Sequence, residues 1–159
     1  MKKQSGFTII ELVVVISILG VLAAVALPKF VGVSKEARVS VLKGVEASLN
    51  DAALVTYSFA AVHGVNDIAY DNEQVNMEGK IVDVKWGYPE AKVDAEGHVG
   101  IDKMIILKGD GLKTSHPSET EFRVGFNLTD AVGCYVEYQE ADAAAAKNEY
   151  KTVMVTKGC

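Results

Sequence analysis

From Phe7 to Leu27 the chain runs FTIIELVVVISILGVLAAVAL, an apolar tract whose only ionisable residue is Glu11. As a helix rising about 1.5 Å per residue it would span roughly 31 Å, the hydrocarbon thickness of a bilayer. After Pro28 the pattern changes. Phe30, Val33, Ala37, Val41, Val45, Leu49, Ala52, Val55, Phe59 and Val62 recur at spacings of three and four, while Lys35, Arg38, Lys43, Glu46, Asn50 and Asp51 fall on the other side. This spacing predicts one amphipathic stripe. Gly64 stands where a C-terminal cap belongs. One helix from Phe7 to His63 is expected, with lipid as the solvent of its first half and a sheet packed on residues beyond Ser40. Pro28, which has no backbone N–H, should kink or punctuate it.

Beyond Gly64 a polar stretch from Asn66 to Gly79 gives way to short β-like runs joined by Gly-rich connectors. Ile81-Trp86, Phe122-Leu128, Cys134-Tyr138 and Val153-Thr156 are the strand candidates. Val82, Val84 and Trp86 alternate with Asp83 and Lys85, which predicts a sheet with one buried and one solvated face. Val99-Leu107 is ambiguous between helix and buried strand; the spacing of Ile101, Met104 and Ile105 favours a short helix. The fold class expected is α+β, a long N-terminal helix packed on a small antiparallel sheet, with no repeat or linker.

With 159 residues and fourteen Gly but three Pro, the chain suits one modest core. Sixteen basic against twenty-one acidic residues give a formal charge of −5, which argues against a surface that coats nucleic acid. Lys2 and Lys3 precede the apolar tract, so the positive-inside bias leaves them in the cytoplasm and sends the rest outward. A plain membrane anchor would satisfy this pattern. So would a secretory signal with an A-x-A cleavage site at Ala24-Val25-Ala26. Neither explains Glu11, because a carboxylate within hydrocarbon costs about 2–3 kcal/mol and is usually paired with a cation. The nearest candidate cation is a new α-amino group at Phe7, exposed only by a cut between Gly6 and Phe7. It could pair within one helix or between neighbouring copies, and the second option would make a self-assembly code.

The residues Lys2-Lys3-Gln4-Ser5-Gly6-Phe7-Thr8-Ile9-Ile10-Glu11-Leu12-Val13 resemble the class III leader of type IV prepilins, although Ile10 replaces a common Leu and the leader starts late. The resemblance implies a leader of residues 1–6 removed by prepilin peptidase, N-methylation of Phe7, and Glu11 registering incoming subunits. It also implies a filament-core helix over 7–28 bending at Pro28, an amphipathic half over 29–63 and a β-rich head over 64–159. Pro28-Lys29-Phe30, Leu42-Lys43-Gly44, Ala52 to Tyr57, Gly87-Tyr88-Pro89 and the Gly133-Tyr138 and Lys157-Cys159 segments are most similar to mannose-sensitive haemagglutinin pilins. The implied partners are further copies of the chain, prepilin peptidase, an inner-membrane assembly machine with its ATPase, membrane lipid, and surface or host glycans. A type II secretion pseudopilin shares the leader and helix, and a binding module released after Ala26 is a third reading.

Cys134 and Cys159 would lie in an oxidising compartment, which predicts a disulfide; without CxxC or HxxxH spacing, zinc is disfavoured. No enzyme site, metal or cofactor is expected. His63, His98 and His116 fall in predicted turns, where exposed loop histidines are the plain reading. Gly109-Asp110-Gly111-Leu112-Lys113-Thr114 fails as a phosphate loop because Ile106 and Leu112 stand where glycines are needed. Asp94, Glu96 and Asp102 lack the Ca²⁺-loop pattern and are expected to be solvated. Asn127-Leu128-Thr129 fits a glycosylation sequon by letters, with a strand end as its simpler explanation. Trp86, Tyr88, Tyr135, Tyr138 and Tyr150 are expected to fill a core more than to form an adhesive surface. Asp142-Ala143-Ala144-Ala145-Ala146-Lys147 reads as a local helix former or an exposed tip.

Overall fold

The computed structural model describes residues 6–68, 73–93, 96–142 and 149–159, with backbone only at 29–31; the leader before Gly6, Asp94 and the alanine run 143–148 lie outside the described residues. Helix α1 spans Ile9–His63 and contains Pro28, so the proline does not end it; the carbonyl one turn earlier, at Ala24, loses its N–H partner. The chain divides into two compact units, residues 1–37 and 38–159.

In the first unit every described side chain from Phe7 to Val25 is exposed, and the helix is long and apolar enough to cross a membrane. The exposed Leu, Ile and Val residues that make it so would be incompatible with water as their permanent solvent.

The second unit contains β1 (Glu73–Met77), β2 (Lys80–Lys85), β3 (Tyr88–Pro89), β4 (His98–Val99), α2 (Ile101–Met104), β5 (Lys113–Ser118), β6 (Glu121–Asn127), β7 (Cys134–Gln139) and β8 (Lys151–Val155). These strands form two four-stranded sheets. One has the order β1-β2-β3, with β4 pairing parallel to β2; the other is the antiparallel meander β5-β6-β7-β8. The single antiparallel sheet expected from the sequence is thus divided, and β1 and β5 are additions to it. Glu73-Gln74-Val75-Asn76-Met77 and Lys113-Thr114-Ser115-His116-Pro117-Ser118 are too polar to announce themselves, because each is bonded along only one edge and largely solvated. The short helix expected within Val99-Leu107 is α2.

The helix stripe needs correction. Val45 and Leu49 are buried as expected, but Val41, Val55 and Val62 face outward; the buried row is Leu42, Val45, Leu49, Ala53, Thr56 and Ala60. The row passes from large residues, Leu42, Val45 and Leu49, to small ones, Ala53, Thr56 and Ala60. Thr56 is tolerated there because its hydroxyl donates to the Ala52 carbonyl at 2.8 Å. Leu42, Leu49 and Ala53 pack with Phe122, Val136 and Tyr138 of the meander, and Ala60 packs with Val75, Val82 and Val84 of the other sheet.

Tyrosines join the two sheets. Tyr138 of β7 is fully buried and donates its hydroxyl to the Pro89 carbonyl of β3 at 2.7 Å. Tyr57, Tyr88, Tyr150 and Tyr138 follow one another with ring centroids 4.8, 5.0 and 5.4 Å apart, so these aromatics are core. Glu140 accepts from the Ala91 N–H and from Lys85, a second link between the sheets.

Burial pushes the phenols of Tyr138, Tyr88 and Tyr150 above their usual range, Tyr138 furthest. In the unfolded chain tyrosines release protons near pH 10, whereas the native state holds them longer. The unfolded state therefore binds fewer protons above that pH, and stability falls as pH rises. We expect the melting temperature of the head to decline between about pH 10 and 12 from its value near pH 9, with a shallower decline in Tyr138→Phe. Melting curves followed by circular dichroism check this; equal slopes for both proteins would refute it.

Candidate assembly site

The first unit holds one polar constellation in its apolar tract. Thr8 precedes the first helical residue, and its backbone N–H and hydroxyl donate to Glu11 Oε2 at 3.0 and 2.8 Å. The Glu11 N–H donates back to Thr8 Oγ1 at 3.3 Å, and the first helical bond runs from the Leu12 N–H to the Thr8 carbonyl at 3.2 Å. This is a capping box, in which Thr and the Glu three residues later satisfy each other's orphan donors. The Thr8-Ile9-Ile10-Glu11 spacing ahead of an apolar run carries that signal in the sequence, and the role of Thr8 is the part of the site that the reading of Glu11 alone overlooks. Phe7 is 85% exposed, and Gly6 and Phe7 lie in non-helical backbone immediately before the cap.

The geometry limits what Glu11 does. One oxygen, Oε2, is used by the cap; Glu11 Oε1 has no hydrogen-bond partner among the described residues. A carboxylate accepts at both oxygens, so the cap orients the group without saturating it. Changing Thr8→Val should remove the hydroxyl bonds and leave the backbone N–H as the only partner. We expect amide exchange at residues 9–12 in micelles to speed up about fivefold, the effect of losing about 1 kcal/mol of cap; unchanged exchange would deny the cap a stabilising role.

In the second unit Cys134 and Cys159 form a disulfide with Cα atoms 4.9 Å apart. The bridge ties the start of strand β7, buried from Cys134 to Tyr138, to the segment after β8. Around it the Gly158 N–H donates to the Gly133 carbonyl at 2.8 Å, and a Cβ at position 158 would stand 1.9 Å from the Val132 carbonyl oxygen, so only glycine passes there. Arg38 donates to the Cys159 carbonyl and stacks over Phe126 at 5.5 Å.

His98 and His116 depart from expectation, while His63 is exposed as expected. His63, in the last turn of α1, is exposed with Nδ1 2.8 Å from the Phe59 carbonyl oxygen. His98 is instead in β4, half-buried, with Nδ1 2.8 Å from Asp83 Oδ1. Asp83 is buried, not on a solvated face, and its carboxyl meets the ring of His98 from the neighbouring parallel strand β4. His116 is in β5 and stacks near Phe122, with Nε2 3.8 Å from Asp102 Oδ2. Asp102 is therefore partly buried, while Glu96 is exposed as expected. No group of three or more metal-ligating side chains comes together among the described residues. Asn127 ends β6; its amide donates to the Val132 carbonyl and its oxygen accepts from Thr129, which is the strand-end reading of that tripeptide.

Residues 1–27 match the prokaryotic N-terminal methylation motif. The type IV narrow pilus major component PilA5 of Thermus thermophilus is 34% identical over 113 residues, 70% of this chain and 94% of that protein. A fimbrial protein of Pseudomonas aeruginosa is 40% identical over 111 residues, 70% of this chain and 57% of the relative. The type II secretion system core protein G of Pseudomonas aeruginosa is 36% identical over 91 residues, 57% of this chain and 58% of that protein. The matched region thus spans under three fifths of the two Pseudomonas proteins. No solved structure matches the chain.

Proposed function

This chain belongs to the type IV pilins, and from that premise we propose that it is the major structural subunit of a surface fibre, cut between Gly6 and Phe7 by prepilin peptidase. The observation that carries the proposal is a single carboxylate, Glu11, held by Thr8 with one oxygen free of hydrogen-bond partners among the described residues, in an apolar tract whose other side chains from Phe7 to Leu27 are uncharged. Cleavage removes Lys2 and Lys3 and creates an α-amine at Phe7, four residues from Glu11. Methylation of that amine keeps its charge. The amine of one subunit and the carboxylate of a neighbour then neutralise each other where water is scarce, which fixes register at the moment two helices pack.

Before assembly the helix resides in the inner membrane with the head outside, and lipid covers its apolar side chains. In the fibre other helices replace the lipid. Because lipid tails are as apolar as Leu, close packing and the ion pair decide the association, and an ATP-driven inner-membrane machine supplies the work of extraction. Pro28 provides a bend for packing the helices, and the disulfide-closed head forms the fibre surface. The chain is not an enzyme and takes no cofactor or metal; the resemblance to mannose-sensitive haemagglutinin pilins supports attachment to surfaces or glycans and biofilm formation.

The likeness to core protein G supports a second reading, a pseudopilin of a type II secretion system. Shearing cells separates the two. Abundant filaments made of this chain in the sheared fraction are expected of the pilus subunit; retention of all copies in the envelope would contradict it.

A further inference from the structure

In the second unit a groove of about 340 Å³ opens between the outer side of α1 and the β1–β2 hairpin. Val55, Phe59, Met77, Val99 and Met104 make it apolar, and the exposed Glu78 and Lys80 stand at its mouth. Glu78 is the first residue of a two-residue turn, with φ of 52° followed by 90° at Gly79. Asparagine or glycine adopts that conformation at lower cost, so a long carboxylate is fixed at the rim against the preference of the turn.

The same unit carries a projection of matching character. Ile105 leaves α2 in extended backbone, with φ −97° and ψ 139°; its side chain and that of Leu107 pack on the core, and the alternation turns Ile106 outward, 83% exposed. Partly buried neighbours on both sides, packed on the core, anchor the segment that carries Ile106. Lys108 and Asp110 follow it in the chain, both exposed. Among the described residues none of Lys108, Asp110, Glu78 and Lys80 has an ion-pair partner within the chain.

We propose that Ile106 of one copy seats in this groove of the next copy, with Lys108 facing Glu78 and Asp110 facing Lys80. The projection and the groove are different surfaces, so the contact is heterologous. Each added copy leaves one groove and one projection free, and the association continues along a line instead of closing at a dimer. The apolar filling supplies adhesion, and the two opposite charge pairs at the rim set direction, because the reversed contact would juxtapose like charges. The inference rests on the fibre reading and adds to it the contact between heads.

The test uses fibres sheared from cells. A photoreactive benzoylphenylalanine at position 106 should give, on irradiation, a ladder of chain multimers whose crosslinked peptides map to residues 73–82 or 99–104 of another copy. Lys108→Glu and Glu78→Lys should each reduce fibre yield about tenfold, and the double variant should recover to within about threefold, with head melting unchanged throughout. Abundant fibres without crosslinks into the groove, crosslinks there to a different protein, or a double variant no better than the poorer single would overturn the proposal. If the unaltered chain is missing from sheared fibres, the fibre reading fails and this inference fails with it.

Discussion

Glu11→Val should insert into the membrane at least as well as the native chain, yet leave fewer than about one tenth of the surface fibres. The substitution removes a charge whose burial in hydrocarbon costs about 2–3 kcal/mol, so weaker insertion cannot account for the loss. It also removes the capping box, and a second substitution separates the two effects. Gln at the third helical position retains the reciprocal cap with Thr8 but carries no charge. Glu11→Gln should therefore keep the native onset of the helix and still assemble poorly. Fractionation gives the membrane content, and quantifying the chain in sheared filaments gives assembly. Normal fibres from Glu11→Gln would show that the carboxylate serves the helix start and not recognition between subunits.

Cys159→Ser should weaken the head by about 3.5 kcal/mol, the chain-entropy value for a loop closed by residues 25 apart in sequence. The melting temperature would fall by about 10 °C. The effect is large because the bridge restrains both strand β8 and the segment that threads Gly158 past Val132. Loss of the bridge also frees the Cys159 backbone that Arg38 holds, so the start of the head loosens together with its last strand. Differential scanning calorimetry of the soluble head with and without reductant offers an independent check, since reduction should reproduce the variant. Coincident melting of native and Cys159→Ser proteins would contradict the stabilising role. Cys134→Ser should cost at least as much as Cys159→Ser, because it opens the same loop and also leaves a hydroxyl in the core where Cys134 is fully buried.

What was legible in the sequence follows from the strength of each local signal. The apolar tract, the isolated Glu11 and the two cysteines each break the background by themselves, and the helix from Ile9 to His63 follows from that tract continued after Pro28 by a three-and-four spacing. The inner strands β2, β6 and β7 were visible because burial demands continuous or alternating apolar residues. The edges were not. β1 and β5 derive their order from one neighbouring strand and turn chemistry, which polar residues satisfy as well as apolar ones. The face of α1 was read one step out of phase because the rule sought large apolar residues. Half of the buried row is Ala53, Thr56 and Ala60, which a search for large apolar residues passes over. The pairing of His98 with Asp83 depends on a parallel strand that brings together positions fifteen residues apart, which no single-strand pattern encodes. At the assembly site, Glu11 stands out by composition, while Thr8 is recognised only when the first turn of the helix is asked where its N–H groups find acceptors.

The central claim is that a cut after Gly6 exposes the amine that Glu11 requires. The most direct measurement is the intact mass of the chain recovered from sheared fibres. A mature chain that begins at Phe7, carries one methyl group and has lost two hydrogens to the disulfide is the predicted species. A chain still carrying Lys2 and Lys3, or one beginning at Leu27, would contradict the account.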